Sequence, residues 1–145
     1  MAPKPVEMTV EDRLAVTELI ALHGHLFDEG ELDRLDELFT ADVVYDVSDY
    51  GQGELVGIAA IRAAGLALGA GNPVAHHVTN VVVTALADGR ARVRSKGLGV
   101  KTDGSCGSVS YDDTVVRGPE GWRIAHRRIT ARRTPLNGAT SPTSS

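Results

Sequence analysis

The side chains best suited to chemistry are an acid that closes the first predicted helix and a histidine on a predicted strand. The helix ends at Leu26-Phe27-Asp28-Glu29-Gly30, and the strand reads Ala75-His76-His77-Val78-Thr79-Asn80-Val81-Val82-Val83. So far apart in the chain, the two can meet only through the fold. In an apolar pocket Asp28 would orient and polarise His77, as a general base requires. Strict alternation puts His77 on one strand face with Ala75, Thr79 and Val81, and His76 on the other with Val78, Asn80 and Val82. One histidine of the pair should therefore face the cavity and the other the opposite side; the functional reading is preferred for His77, a core or surface role for His76, and a buried amide closing a backbone network for Asn80. Asp28 sits where the helix macrodipole disfavours a carboxylate, a position with little structural benefit. Ala21 and Gly24, on the same helical face, would leave room for a ligand beside it.

Other polar residues could serve the same pocket. His23 reads as a substrate-facing group on the helix. His23 and His25 diverge by about 200° around the axis, so one ion cannot bind both from a single face, and no metal is expected. Tyr45, Tyr50, Lys96 and Tyr111 are candidate substrate contacts, and Tyr45 alternates with Val43 and Val47 as a core residue would. Arg127 shares a predicted strand face with Arg123 and Ile129. No phosphate loop, dinucleotide-binding glycine pattern or activated serine or cysteine arrangement is present, and no cofactor is expected.

Composition narrows the field. The chain has 145 residues, enough for one domain with a real core. Its net charge of -4 gives no footprint for nucleic acid. Cys106 is the single cysteine, which excludes an internal disulfide and a thiolate metal cluster. No apolar run approaches the ~20 residues of a membrane span, and the N-terminus lacks a signal-peptide pattern. The expectation is a soluble, cytoplasmic protein with no membrane partner.

The elements that must position these residues follow from pattern. Residues 1–8 read as a loose arm, 9–133 as the folded domain and 134–145 as a disordered tail. Thr9 is a suitable N-cap, with Glu11 and Asp12 in the first helical turn and an apolar stripe of Leu14, Leu19, Leu22 and Leu26. A short second helix is predicted over 31–39, a strand over 43–47, a polar loop over 48–54 and a third helix from Gly57 to Ala64. Four strands follow, over 74–86, 91–100, 108–116 and 122–131, separated by Asp88-Gly89, Asp103-Gly104 and Pro119-Glu120-Gly121. Helices followed by a curved, mainly antiparallel sheet make an α+β fold. A sheet folded round its helices is a cone-shaped α+β barrel whose open end is a natural small-molecule cavity.

The helical start, the strand with Gly57-Ile58-Ala59-Ala60-Ile61, the His-His-Val-Thr-Asn strand and the closing Gly121-Trp122-Arg123-Ile124 resemble the SnoaL-like family of the nuclear transport factor 2-like superfamily. The resemblance covers about residues 9–133 and implies the barrel, a homodimer, and any of several reactions on small apolar substrates. Scytalone dehydratases and hexachlorocyclohexane dehydrochlorinases are similar in their helix-end aspartate and strand histidine, which match Asp28 and His77. In the dehydrochlorinases a lysine stands at His23 and a functional arginine at Arg127. In the scytalone dehydratases a tyrosine precedes the aspartate where this chain has Phe27, and a second histidine falls near Lys101 or Thr102. The resemblance implies a cofactor-independent lyase or isomerase acting on a polyketide, terpenoid or aromatic metabolite. A polyketide cyclase, an epoxide-opening enzyme and a non-catalytic binding protein are the alternatives.

Overall fold

The structure is a computed structural model that describes residues 8–140. Helix α1 (Val10–Asp28) starts at Thr9, whose hydroxyl accepts from the Asp12 backbone N–H at 3.0 Å while Asp12 accepts from the Thr9 N–H at 3.1 Å. This reciprocal cap satisfies two otherwise unpaired donors. Asp12 also accepts from the Trp122 indole N–H at 3.2 Å and lies 3.2 Å from an Arg117 nitrogen. The start of α1 is thereby fixed to the far end of the sheet. Its buried face is Val16, Leu19, Ile20, His23, Gly24 and Leu26, whereas Leu14, expected in the apolar stripe, is exposed. Gly30, at φ +69°, ends the helix in the left-handed region that glycine adopts without penalty.

The predicted second helix is a short 3-10 segment, Leu32–Glu37. Leu35, Leu38 and Phe39 are buried as expected, but Phe39 already opens strand β1 (Phe39–Asp46). The predicted polar loop holds a 3-10 turn at Ser48–Tyr50 and a short strand, β2 (Glu54–Val56). Helix α2 (Ile58–Leu68) runs through Gly65 rather than stopping there. The last four strands are β3 (Ala75–Ala85), β4 (Arg90–Val100), β5 (Cys106–Gly118) and β6 (Gly121–Ala131). Beyond them Pro135–Gly138 forms a 3-10 turn within the predicted tail. Nearly all of the predicted arm and the last five residues lie outside the described part.

One six-stranded sheet runs in the order β2-β1-β6-β5-β4-β3. Only β1 and β6 pair in parallel, so the sheet is mixed and mainly antiparallel. The helices pack on its concave face, giving the α+β cone expected from the element order. Among the described residues no helix is long and apolar enough to cross a membrane.

Two one-residue bulges decide which side chains face inward. On β3, Thr79 lies opposite Lys96 and Val82 opposite Arg94, so three steps on β3 match two on β4. Asn80 absorbs the extra residue at φ +57°. Ahead of this bulge His76 and Val78 point toward the core; beyond it Val81 and Val83 do. On β6, Thr114 pairs with His126 and Val115 with Ile124, placing Ala125 as the extra residue. Trp122 and Ile124 are buried on one side of it, Arg127 and Ile129 on the other. Each bulge reverses the parity that simple alternation would carry through.

Two glycines permit close approaches. A Cβ on Gly24 would stand 2.7 Å from the His76 carbonyl oxygen, so α1 touches the β3 backbone there. The space that Gly24 was expected to leave for a ligand is filled by this strand, and Ala21 faces solvent. A Cβ on Gly97 would stand 2.5 Å from the Tyr111 ring, which lies over that glycine. In Gly24→Ala the gain in helix propensity is about 1 kcal/mol, smaller than the roughly 1–3 kcal/mol of overpacking against an oxygen fixed in the β3 ladder. Gly24→Ala is therefore expected to lower the free energy of unfolding, measured by urea denaturation. An equal or higher midpoint would contradict the contact.

Candidate active site

The concave face, α1 and α2 enclose a cavity of about 430 Å³. Its inner wall is aromatic, from Phe27, Tyr45 and Tyr111, and His23 belongs to the same wall. Leu55, Ile61, Leu68, Val109 and Ile129 are among the residues that supply apolar surface, and Gln52, Asn72 and Lys101 add polar groups. Tyr50 also lines it, half exposed.

At the cavity's edge the last residue of α1 meets the first turn of β3. Asp28 Oδ1 lies 2.6 Å from His76 Nδ1, and Asp28 Oδ2 accepts from the His76 backbone N–H at 3.0 Å. One carboxylate thus grips backbone and ring of the same residue. The second contact fixes the position of the strand and the first fixes the plane and tautomer of the ring. With Nδ1–H committed to Asp28, the Nε2 lone pair is the basic position. His76 lines the cavity, so the sequence expectation of an acid and an imidazole meeting at a pocket is realised with the other histidine of the pair.

His77 lies on the outer face, exposed and opposite Leu98. The reason is the Asn80 bulge: Val81 and Val83 set the apparent inward parity, and the ladder slips by one residue before His77 is reached. Asn80 itself is exposed and serves the bulge, not a buried network. Lys96 is likewise on the outer face, exposed, between Thr79 and Ser110. An asparagine inside an apolar strand run, tolerant of the left-handed region, was the available signal for the slip. Gln52 and Asn72 carry no periodic signal, because they sit on or beside turns.

His23 is 2 % exposed, and its Nε2 lies 3.4 Å from the Tyr45 hydroxyl while its Nδ1 is buried without a partner. Burial, then the charges of Arg127 and His76, hold its pKa well below the ordinary histidine value, so this ring is neutral. His25, two residues on, points to solvent. Burial also raises the Tyr45 and Tyr111 phenols, against the opposing pull of Arg127, which keeps both as hydrogen-bond donors.

Arg127 faces inward but does not reach the cavity surface. It is fully buried, its Nε and Nη2 donating to Asp113 Oδ1 and Oδ2 at 2.7 and 2.8 Å. Its guanidinium lies 4.2 Å from the Tyr111 ring centroid. The expected partnership with Arg123 fails at the Ala125 bulge, which turns Arg123 outward to donate to the Asp36 carbonyl at 2.8 Å. Arg127 therefore underpins a cavity tyrosine instead of contacting a ligand.

Residues 8–128 match the family model described as a SnoaL-like domain. The chain belongs to the SnoaL-like family. Among curated proteins none matches it. A nuclear transport factor 2-like protein with a cystatin-like fold from Novosphingobium aromaticivorans is 32% identical, with 90% of this chain and 85% of that one aligned at a TM-score of 0.70. A second protein of that organism, described as a candidate aromatic ring hydroxylase, is 29% identical over 88% of this chain and 94% of its own, with a TM-score of 0.71. The dehydrochlorinase LinA is 20% identical over 92% of this chain and 95% of its own, with a TM-score of 0.73. At that identity the likeness is one of fold. This SnoaL-like domain thus has the architecture of a family that binds small hydrophobic molecules.

The neutral His23 has a consequence for stability. Unfolding lets its imidazole take up a proton near the ordinary value of about 6.5, whereas the folded state refuses it. The stabilisation is complete above that pH and declines as pH falls below it, by at most about 1.4 kcal/mol per pH unit. His23→Leu should flatten the loss of stability between pH 6.5 and 4.5 relative to wild type, read as denaturation midpoints across that range. Parallel slopes in the two proteins would refute the neutral assignment.

Proposed function

We propose that this SnoaL-like protein is a lyase or isomerase in which His76, held by Asp28, removes a proton from a small apolar metabolite. The observation that carries the reading is the doubly anchored Asp28–His76 pair at the edge of an aromatic cavity. His76 Nε2 takes a proton from a carbon made acidic by a neighbouring carbonyl or positioned beside a leaving group. The C–H electron pair becomes a new double bond, either expelling the leaving group or moving charge onto the carbonyl oxygen. The neutral hydroxyls of Tyr45 and Tyr111 are suited to donate to that oxygen as charge develops. Asp28 compensates the imidazolium formed, which returns its proton to the departing group or to another carbon. Dehydration, dehydrohalogenation and double-bond migration all use these steps, and ring closure uses the same carbanion.

The likeness in fold to a dehydrochlorinase supports the elimination branch. Phe27 argues against a water-bound tyrosine next to the aspartate, since a phenyl ring cannot hold water there. A polyketide, terpenoid or aromatic substrate suits the apolar and aromatic wall.

The test uses cyclic ketones carrying a β-hydroxyl or β-halogen, incubated in heavy water and followed by NMR for deuterium exchange and elimination. His76→Ala and Asp28→Asn should each lower the rate by about a hundredfold or more, while His77→Ala stays within about twofold. Ligand binding without exchange or elimination across the whole series would favour a non-catalytic binder. Loss of rate in His77→Ala with retention in His76→Ala would overturn the assignment of the base.

A further inference from the structure

The cavity lining contains a single permanently charged side chain, Lys101, among 21 residues. Among the described residues no other Lys, Arg, Asp or Glu lines that surface. Its position follows from strand parity. On β4 the inward row is Ala91, Val93, Ser95 and Gly97, with Gly99 continuing it and lining the cavity. Lys101 is the next member, and its backbone N–H still bonds the Ser105 carbonyl at 2.9 Å, so the ladder geometry persists to this residue. Gly97 and Gly99 contribute no side chain, and Lys101 is the first long one beyond them.

The ammonium group is exposed to solvent and has few protein partners. Its nearest protein acceptor is the Gly71 carbonyl, across the mouth at 3.5 Å, and among the described residues it makes no salt bridge. Most other cations near the site are committed: Arg127 to Asp113, Arg128 to Asp46, Arg133 to Asp49. A cation without a salt bridge at the mouth of a cavity otherwise neutral apart from the dyad is an anion receptor, exposed to solvent and sharing its field with the nearby Asp103 carboxylate.

The spacing defines the ligand further. His76 lies opposite Gly99, and Lys101 is two residues nearer the mouth, a separation of about 7 Å along the strand. We infer that the substrate is an apolar or aromatic molecule bearing a carboxylate, whose anionic end sits at Lys101 while its reacting carbon lies one ring-width deeper, at His76. Lys101 is then a specificity-determining residue. This rests on the proposed site, and it concerns recognition rather than the chemical step.

The test uses 2-naphthoate and its neutral match 2-naphthamide, titrated into the full-length protein by calorimetry at low and moderate salt. Wild type should bind the carboxylate more tightly than the amide. Lys101→Gln should lower naphthoate affinity by roughly fivefold, leave naphthamide unchanged and abolish the salt dependence, while Lys101→Arg retains the preference. Equal binding of both probes to wild type, no binding of either, or a preference that survives in Lys101→Gln overturns the inference. So does a preference lost in His76→Gln but kept in Lys101→Gln, because the imidazole would then be the anion's partner. Since binding is measured without turnover, a positive result stands even if the exchange and elimination assays show no catalysis, and a negative one leaves the base assignment intact.

Discussion

The site depends on one close approach, that of α1 to the backbone of β3 at Gly24. A helix and a strand normally stay apart by the length of the side chains between them. Here a missing Cβ lets the helix come within contact of the His76 carbonyl. Only from that distance can Asp28, one turn further along, accept hydrogen bonds from both the backbone and the ring of His76. The N-terminal end of the same helix is fixed by Asp12 to Trp122 and Arg117 on the opposite side of the sheet. Held at both ends, α1 can neither slide nor tilt without breaking a charged hydrogen bond. The imidazole is therefore positioned by the helix as a rigid body, not by local strand geometry alone.

The architecture was legible from the sequence because the signals that specify it are local. Thr9 and Asp12 announce the helix start, and Asp88-Gly89, Asp103-Gly104 and Pro119-Glu120-Gly121 divide the meander. The cavity-facing identities of Phe27, Tyr45 and Tyr111 were also legible, since no irregularity intervenes between them and their buried neighbours. What failed was parity. Alternation is a rule of period two, and one inserted residue inverts every later assignment. The apolar pattern itself held a trace of both inversions: Val78 against Val81 and Val83, and Ile124 against Ile129. His77 was misplaced by reading through such a break, whereas Lys96 lies on the outward row of an unbroken strand, and Lys101 was undervalued because it lies just past a strand end. Strand β2 is too short for its pattern to emerge from a glycine-bearing loop.

Arg127 shows why a buried charge need not touch a ligand to matter. Desolvating a guanidinium and a carboxylate together is costly, and a hydrophobic pair could fill the same volume at similar or better stability. Removing either partner alone would leave the other uncompensated, at about 3–5 kcal/mol. The pair's placement suggests what it supplies. The guanidinium lies over the face of Tyr111, and the same ring packs closely on the Gly97 backbone, so the phenol is held by a cation and a backbone. The same charge opposes the effect of burial on Tyr45 and Tyr111. A positive charge behind two phenols strengthens them as donors toward any negative charge that forms in front.

The two histidines of the cavity differ in their surroundings. Their ring centroids are 5.9 Å apart, a distance at which two positive charges would repel by roughly 3 kcal/mol in a medium of intermediate polarity. They cannot both be protonated cheaply. His23 has a phenol for its one polar contact and no carboxylate, so burial keeps it neutral. His76 has a carboxylate on its ring, partial access to solvent and the negative end of the α1 macrodipole nearby. In the proposed mechanism the carboxylate that looks misplaced at a helix C-terminus, and the dipole that opposes it, would both compensate a proton placed on the ring between them. Of the two cavity histidines only His76 has a carboxylate on its ring, which is why the proposed base is His76 and not His23.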